Sequence, residues 1–343
     1  MNYMYRQIEL RKRYPLQISR GLISGSTNLY VLIDREGFVG IGEAAPGSGA
    51  ETAEICERQL QNFLDGQDII LSPVEAWEEA RLSGVAMCAW AAVDVAIWDL
   101  LAQQSKRPLF QLLGLPQRSV PTSITIGIIS PELVRERISE ILNRTNAKNL
   151  KIKLGNPEGI EVDKAMYVEV QRAIENFDVS LRVDANGGWS LSNAINMIKW
   201  LADRECEYVE QPLKPEDDDQ LPNLYRNRAL PIFVDESCNF SSDVAKLAEC
   251  VDGVNVKLMK CGGITEAVRI VSTARAHGLQ TMIGCMGESS IAIAAGASIG
   301  SLFDHIDLDS HLNLDPDPAD GLSLINGVVS VSGKFGHGAN LVC

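Results

Sequence analysis

From about Thr122 onward the chain repeats one unit: a short β-branched run, a turn, then an amphipathic helical stretch. The runs that read as strands are 122–126, 150–154, 180–183, 208–210, 232–234, 253–257, 280–283 and 305–308, eight in all. With carboxyl ends at Lys153, Asp184, Glu210, Asp235, Lys257, Gly284 and Asp307, the successive steps are 31, 26, 25, 22, 27 and 23 residues. Spacing this even, with a helical pattern in each gap (191–202 and 265–276 among them), predicts an α/β chain built on a parallel (β/α)8 barrel over residues 119–320.

The chain has 343 residues, more than one such core needs, and its first 118 read differently. Residues 5–45 alternate as an antiparallel meander with a turn at Asp34 to Gly37, and residues 51–113 read as helical. They predict an α+β capping domain over 1–118. Residues 321–343 hold short apolar runs and glycines without a helical pattern and are expected to return and complete the cap.

A net charge of -14 argues against nucleic acid or an anionic membrane as a partner, since both would repel the chain at long range. The apolar stretch Val85 to Ile97 is interrupted by Asp94 and falls short of the roughly 20 residues a membrane span needs. Met1 to Tyr14 mixes charged with apolar residues and has no secretory h-region. The eight cysteines are scattered without CxxC pairs, which suits a reducing compartment. The expected location is the cytoplasm.

In a barrel of this kind the reactive groups stand at the carboxyl ends of the strands. Lys151 and Lys153 end the second strand and, two apart, face the same way. Asp184 ends the third strand, Glu210 the fourth, Asp235 follows the fifth and Lys257 ends the sixth. Three converging carboxylates would repel one another without a cation between them, and an all-oxygen set suits Mg2+. Such a metal can stabilise the enediolate left when an α-proton departs from a carboxylate substrate. Lys153 and Lys257 would then serve as acid and base on opposite faces of a planar enolate, with the divalent cation and the neighbouring Lys151 ammonium both disfavouring the charged form of Lys153.

Those same residues carry a resemblance. Lys-Ile-Lys at 151–153, Asp-Ala-Asn at 184–186, Glu-Gln-Pro at 210–212, Asp-Glu-Ser at 235–237 and the stretch 257–263 are similar to the signature of the muconate-lactonizing subgroup of the enolase superfamily. Gly40 to Glu43 and Ala91 to Leu101 resemble stretches of the same family, so the likeness spans nearly the whole chain. It implies a Mg2+ site of Asp184, Glu210 and Asp235 with Lys153 and Lys257 as the acid/base pair. No histidine among 277, 305, 311 and 337 stands where a mandelate racemase site would need one.

Within the subgroup the chain looks most like the dipeptide epimerases. Asp307 and Asp309, two apart at the eighth strand, resemble their Asp-x-Asp motif and would suit the free ammonium of a dipeptide. Cys285, Met286 and Glu288 after the seventh strand are also similar and are expected near the substrate. Arg20, in the loop 19–26, could pair with a substrate carboxylate such as that of L-Ala-D/L-Glu, and the loop 47–52 is the other cap segment that would read a side chain. The expected reaction is therefore a 1,1-proton transfer at the α-carbon of a dipeptide's C-terminal residue. The alternatives are an N-acylamino acid racemase, an o-succinylbenzoate synthase or another muconate-lactonizing-type enzyme. The expected partners are the small-molecule dipeptide and further copies of the chain in a homo-oligomer.

Overall fold

The computed structural model describes residues 2–47, 51–65 and 72–342. Positions 48–50 of the loop 47–52 and 66–71 of the helical stretch 51–113 lie outside the described residues.

The N-terminal region opens with β1 (Asn2–Ile18), β2 (Gly21–Arg35) and β3 (Phe38–Ala44), an antiparallel sheet in that order. The β2–β3 hairpin turns at Glu36 and Gly37, whose φ values of 54° and 81° give the left-handed backbone such turns need. Then come α1 (Ala53–Leu64), α2 (Pro73–Leu82), α3 (Met87–Gln104) and α4 (Leu109–Leu112). Helix α3 lies directly on β3: a Cβ on Gly42 would stand 2.0 Å from the Ala92 carbonyl oxygen, and one on Gly40 2.1 Å from that of Ala96. The glycines of Gly-Ile-Gly-Glu are what permit this approach.

The eight expected barrel strands are present as β4 (Ser123–Ile126), β5 (Asn149–Lys153), β6 (Ser180–Asp184), β7 (Cys206–Glu210), β8 (Ile232–Val234), β9 (Gly253–Lys257), β10 (Gln280–Gly284) and β11 (His305–Asp307). They form one parallel sheet in sequence order. Thr122 closes it by pairing with Ile306, while its hydroxyl accepts from the Leu308 N–H at 2.9 Å. Helices α5 (Pro131–Thr145), α6 (Ile160–Ile174), α7 (Leu191–Ala202), α8 (Leu221–Arg226), α9 (Ser241–Leu247), α10 (Leu258–Cys261), α11 (Ile264–Ala276) and α12 (Ser290–Ser298) fill the gaps. Register sets Lys153 beside Asp184 beside Glu210, and Lys257 beside Gly284 beside Asp307. The carboxyl ends of the strands are thus level, so their terminal side chains share one rim.

The C-terminal segment holds β12 (Ala319–Asp320), the hairpin β13 (Leu322–Ile325) and β14 (Val328–Val331), and β15 (Asn340–Leu341), with no helix among its described residues. It docks on the N-terminal region. Asp99 of α3 accepts from the Ile41 N–H at 3.0 Å and from the His337 N–H at 2.8 Å, and Leu109 donates to the Gly336 carbonyl at 2.7 Å. Among the described residues no helix is long and apolar enough to cross a membrane.

Asp99 therefore ties strand, helix and tail together. Asp99→Ala would leave two buried N–H groups without an acceptor, a loss of about 2–4 kcal/mol that a lowered urea denaturation midpoint should register. An unchanged midpoint would show that the Asp99 hydrogen bonds do not stabilise the docked tail.

Candidate active site

Five consecutive strands, β5 to β9, present Lys153, Asp184, Glu210, Asp235 and Lys257 in order around the rim. Strands β5 and β9 are four apart in a closed sheet of eight, so the two lysines stand on opposite walls with the three acids between them. One oxygen from each acid lies within 4.8 Å of the others, and all three acids are buried.

Each acid is held by its neighbours. Lys153 Nζ is 2.6 Å from Asp184 Oδ2, and Asp235 lies between Lys257 and Lys260 at 2.7 Å each. Glu210 takes Lys151 at 2.5 Å on one oxygen and the Asn255 amide at 2.6 Å on the other. Two residues just past the acids take left-handed backbone, Asn186 with φ 43° and Gln211 with φ 38°. That backbone turns them back on the site: the Asn186 N–H donates to Asp184 Oδ1 at 2.7 Å, and Gln211 Oε1 accepts from the Asp235 N–H at 2.7 Å.

Burial pushes the Glu210 carboxyl up to about 7, helped by the nearby Asp184 charge. Burial pushes Asp235 the same way, but the ammonium groups of Lys257 and Lys260 overcome it and hold the carboxyl well below the usual range. For the lysines the contacts within the protein act against the expected lowering. Burial, the largest effect, and the Lys151 ammonium pull Lys153 down, but the carboxylates of Asp184 and Glu210 together more than offset them and its pKa is raised. Burial is likewise outweighed at Lys257, chiefly by Asp235, and at Lys151, chiefly by Asp307 and Glu210. Ammonium groups bonded to carboxylates are stabilised in the charged form, a contact that strand spacing alone does not reveal.

The rim opens into a cleft with two lobes that share the walls formed by Lys12, Leu16, Lys153, Lys257, Cys285 and Met286. The first lobe has an apolar wall of Ile124, Ile126, Ile129, Ile141 and Leu312, and its lining also includes Arg137, Arg144, Asp307 and Asp309. The second runs under the N-terminal sheet and reaches Ile18, Arg20, Ile23 and Thr52.

Both expected strand 8 acids thus reach the cleft, but they are held differently. Asp307 Oδ2 takes Lys151 at 2.5 Å while its Oδ1 is buried with no hydrogen-bond partner, and Asp309 Oδ2 accepts from the Thr125 N–H at 2.6 Å. Burial and the Asp307 charge push Asp309 up to about 6. Arg20 lines the second lobe, yet its guanidinium is 2.7 Å from Glu236 and also donates to the Asn186 carbonyl, so it is already engaged by the protein. Cys285 and Met286 line both lobes, with the Met286 sulfur 3.9 Å from Lys257 Nζ.

Glu288 lies behind that wall. It is buried and accepts from the Met286 N–H at 2.8 Å. The same loop is pinned from the N-terminal sheet: Asn28 donates to the Gly287 carbonyl and to Glu43, both at 2.7 Å, and Glu43 accepts from the Ser289 hydroxyl and N–H and from the Ala292 N–H at the start of α12. Sequence reasoning missed Asn255 and Lys260. Asn255 is two residues before Lys257 on one strand and so faces the same way, a signal the sequence does contain.

Two family profiles match the chain: "Mandelate racemase / muconate lactonizing enzyme, N-terminal domain" over residues 3–114 and "Enolase C-terminal domain-like" over residues 133–342. The chain belongs to the mandelate racemase and muconate lactonizing enzyme family. Within this branch of the enolase superfamily it is 55% identical to the hydrophobic dipeptide epimerase of Roseobacter litoralis, over 99% of each chain. Among solved structures it is similar to the dipeptide epimerase of Enterococcus faecalis complexed with Mg and L-Leu-L-Tyr, with 33% identity, TM-score 0.92 and 98% of each chain covered. It is also similar to a substrate-liganded L-Ala-D/L-Glu epimerase from Bacillus subtilis, with 28% identity, TM-score 0.92 and coverage of 99% of this chain and 98% of the other.

In this family member Glu288 sets a pH dependence of stability. Burial raises its carboxyl from 4.5 to about 8. A folded-state value above the unfolded one means that the contribution is complete below about 4.5 and is lost as the pH rises through about 8. Glu288→Gln keeps an acceptor for Met286 and removes the ionisation. Its denaturation midpoint should fall less than the parent's between pH 5 and 9, and parallel pH profiles would disprove the assignment.

Proposed function

We propose that the chain is a Mg2+-dependent dipeptide epimerase that inverts the α-carbon of the C-terminal residue, with a preference for apolar side chains. The observation that carries this reading is the order of side chains on β5 to β9. Two lysines on opposite walls flank three carboxylates, as a two-base proton transfer requires.

Asp184, Glu210 and Asp235 would hold the metal, since three buried carboxylates within one ligand radius form the all-oxygen set that suits Mg2+. Four carboxylates (these three and Asp307) are paired with four ammonium groups (Lys151, Lys153, Lys257 and Lys260). A bound divalent cation adds two positive charges to this balanced set, favours loss of a lysine proton and stabilises negative charge on the substrate carboxylate.

Lys153 takes or returns the α-proton on one face of the substrate and Lys257 does so on the other. Transfer in from one wall and out to the opposite wall inverts the centre. Asp307 and Asp309 receive the free ammonium of the N-terminal residue, because Asp307 Oδ1 is a buried acceptor lacking a partner. This favours a dipeptide over an acylated amino acid, which has no ammonium to offer. The isoleucine-walled lobe around those acids takes the N-terminal side chain, and its composition supports an apolar one. Arg20, engaged by Glu236, is a weak anchor for a glutamate side chain. The Roseobacter litoralis relative, a hydrophobic dipeptide epimerase, agrees with that preference.

In this reading residues 1–118, completed by about 321–343, form the cap and 119–320 the catalytic barrel, and the chain works as a homo-oligomer. The seven described cysteines are free thiols, which supports a reducing, cytoplasmic location.

Incubation of apolar L,L-dipeptides in D2O with Mg2+ should place one deuteron on the C-terminal α-carbon, read by mass spectrometry. Chelation of the metal, Lys153→Ala or Lys257→Ala should each lower the epimerisation rate by about 100-fold or more. Deuterium uptake into N-acylamino acids but not dipeptides would overturn the substrate assignment.

A further inference from the structure

Strand β1 departs from its pairing with β2 between Arg11 and Leu16, a break that includes Pro15, which has no N–H to give to a ladder. The displaced segment crosses to the barrel instead. Lys12 bridges to Leu314, the Asp315 N–H donates to the Arg11 carbonyl at 3.0 Å, and Tyr14 and Asn313 exchange two hydrogen bonds of 3.0 and 2.9 Å. The bulge therefore fixes Lys12 beside the loop that carries Asp309.

The Lys12 side chain enters the cleft. Its Nζ would lie 3.8 Å from a Cβ placed on Gly287, it lines both lobes, and the groups that act on it electrostatically are Cys285 and Asp309. Six residues line both lobes, and hence the stretch between a ligand's two ends. Lys153 and Lys257 are bonded to Asp184 and Asp235, Leu16 and Met286 are apolar, and Cys285 is a weak donor. Lys12 alone among the six is a strong donor with no hydrogen bond or ion pair to the described residues.

Resting on the dipeptide reading above, we propose that Lys12 is a substrate-binding residue whose ammonium donates to the carbonyl oxygen of the dipeptide's own peptide bond. The placement follows from the two ends. If the carboxylate lies among the three acids and the ammonium at Asp307 and Asp309, the peptide link spans the wall shared by the lobes, where its oxygen is the only strong acceptor. The contact is made equally before and during proton transfer, so it acts on binding and not on the chemical step.

The test compares Lys12→Met and Lys12→Arg with the parent in the exchange assay. It uses one apolar L,L-dipeptide and the same dipeptide with its peptide C=O replaced by C=S, a poorer acceptor. For the oxygen substrate, Lys12→Met should raise KM by about 10- to 100-fold with kcat nearly unchanged, and Lys12→Arg should recover part of the loss. For the thioamide, parent and Lys12→Met should agree within about threefold. Thermal denaturation of each variant verifies folding. An unchanged KM, an equal loss on both substrates or a fall confined to kcat would overturn the assignment of Lys12 while leaving the epimerase reading in place. Absence of exchange by the parent on any dipeptide would overturn both.

Discussion

The charge on Lys151 is the interaction around which the site is organised. Its side chain is fully buried, and its ammonium reaches Glu210 from β7 and Asp307 from β11, both at 2.5 Å. A buried ion costs several kcal/mol in lost hydration unless its partners are close and well oriented, and here one ammonium offsets two carboxylates. Without it, the Glu210 and Asp307 carboxylates would be buried with no cation bonded to them. One lysine thus ties the carboxylate cluster at the rim to the eighth barrel strand.

From that hub the rest of the cleft divides by polarity. The rim from β5 to β9 is crowded with ions, whereas the lobe between β4, α5 and β11 sets a wall of isoleucines beside Asp307, Asp309, Arg137 and Arg144. The barrel makes the arrangement possible because parallel strands with level ends deliver one side chain each to a common rim, and their order in the chain becomes their order in space.

That regularity is why so much was legible. The eight strands follow from period and spacing, and the five rim residues follow from asking what stands at each strand end. The same period-2 argument that paired Lys151 with Lys153 also applies to Asn255 and Lys257. Lys260 was harder: it sits in the short helix that begins after β9, where strand alternation has stopped. The raised lysine pKa values were illegible for a different reason, since they depend on distances of 2.5 to 2.7 Å between groups 22 to 156 residues apart in the chain. The apolar lobe likewise joins residues from β1, β4, α5 and the loop after β11, and no local pattern marks them as neighbours. Arg20 looked like a free cation because its partner Glu236 lies over two hundred residues away.

The anchoring of the loop after β10 has a consequence for how such a protein can diversify. Its backbone is held by Asn28 and Glu43 of the N-terminal sheet, so one wall of the barrel's mouth takes its shape from a different part of the chain. A transplanted N-terminal sheet that lacked this amide and this carboxylate would bring new side chains to the cleft and at the same time loosen Cys285 and Met286. Changes of specificity in this architecture should therefore accumulate as point substitutions facing the lobes, with the sheet and the barrel evolving as a matched pair and not as interchangeable modules.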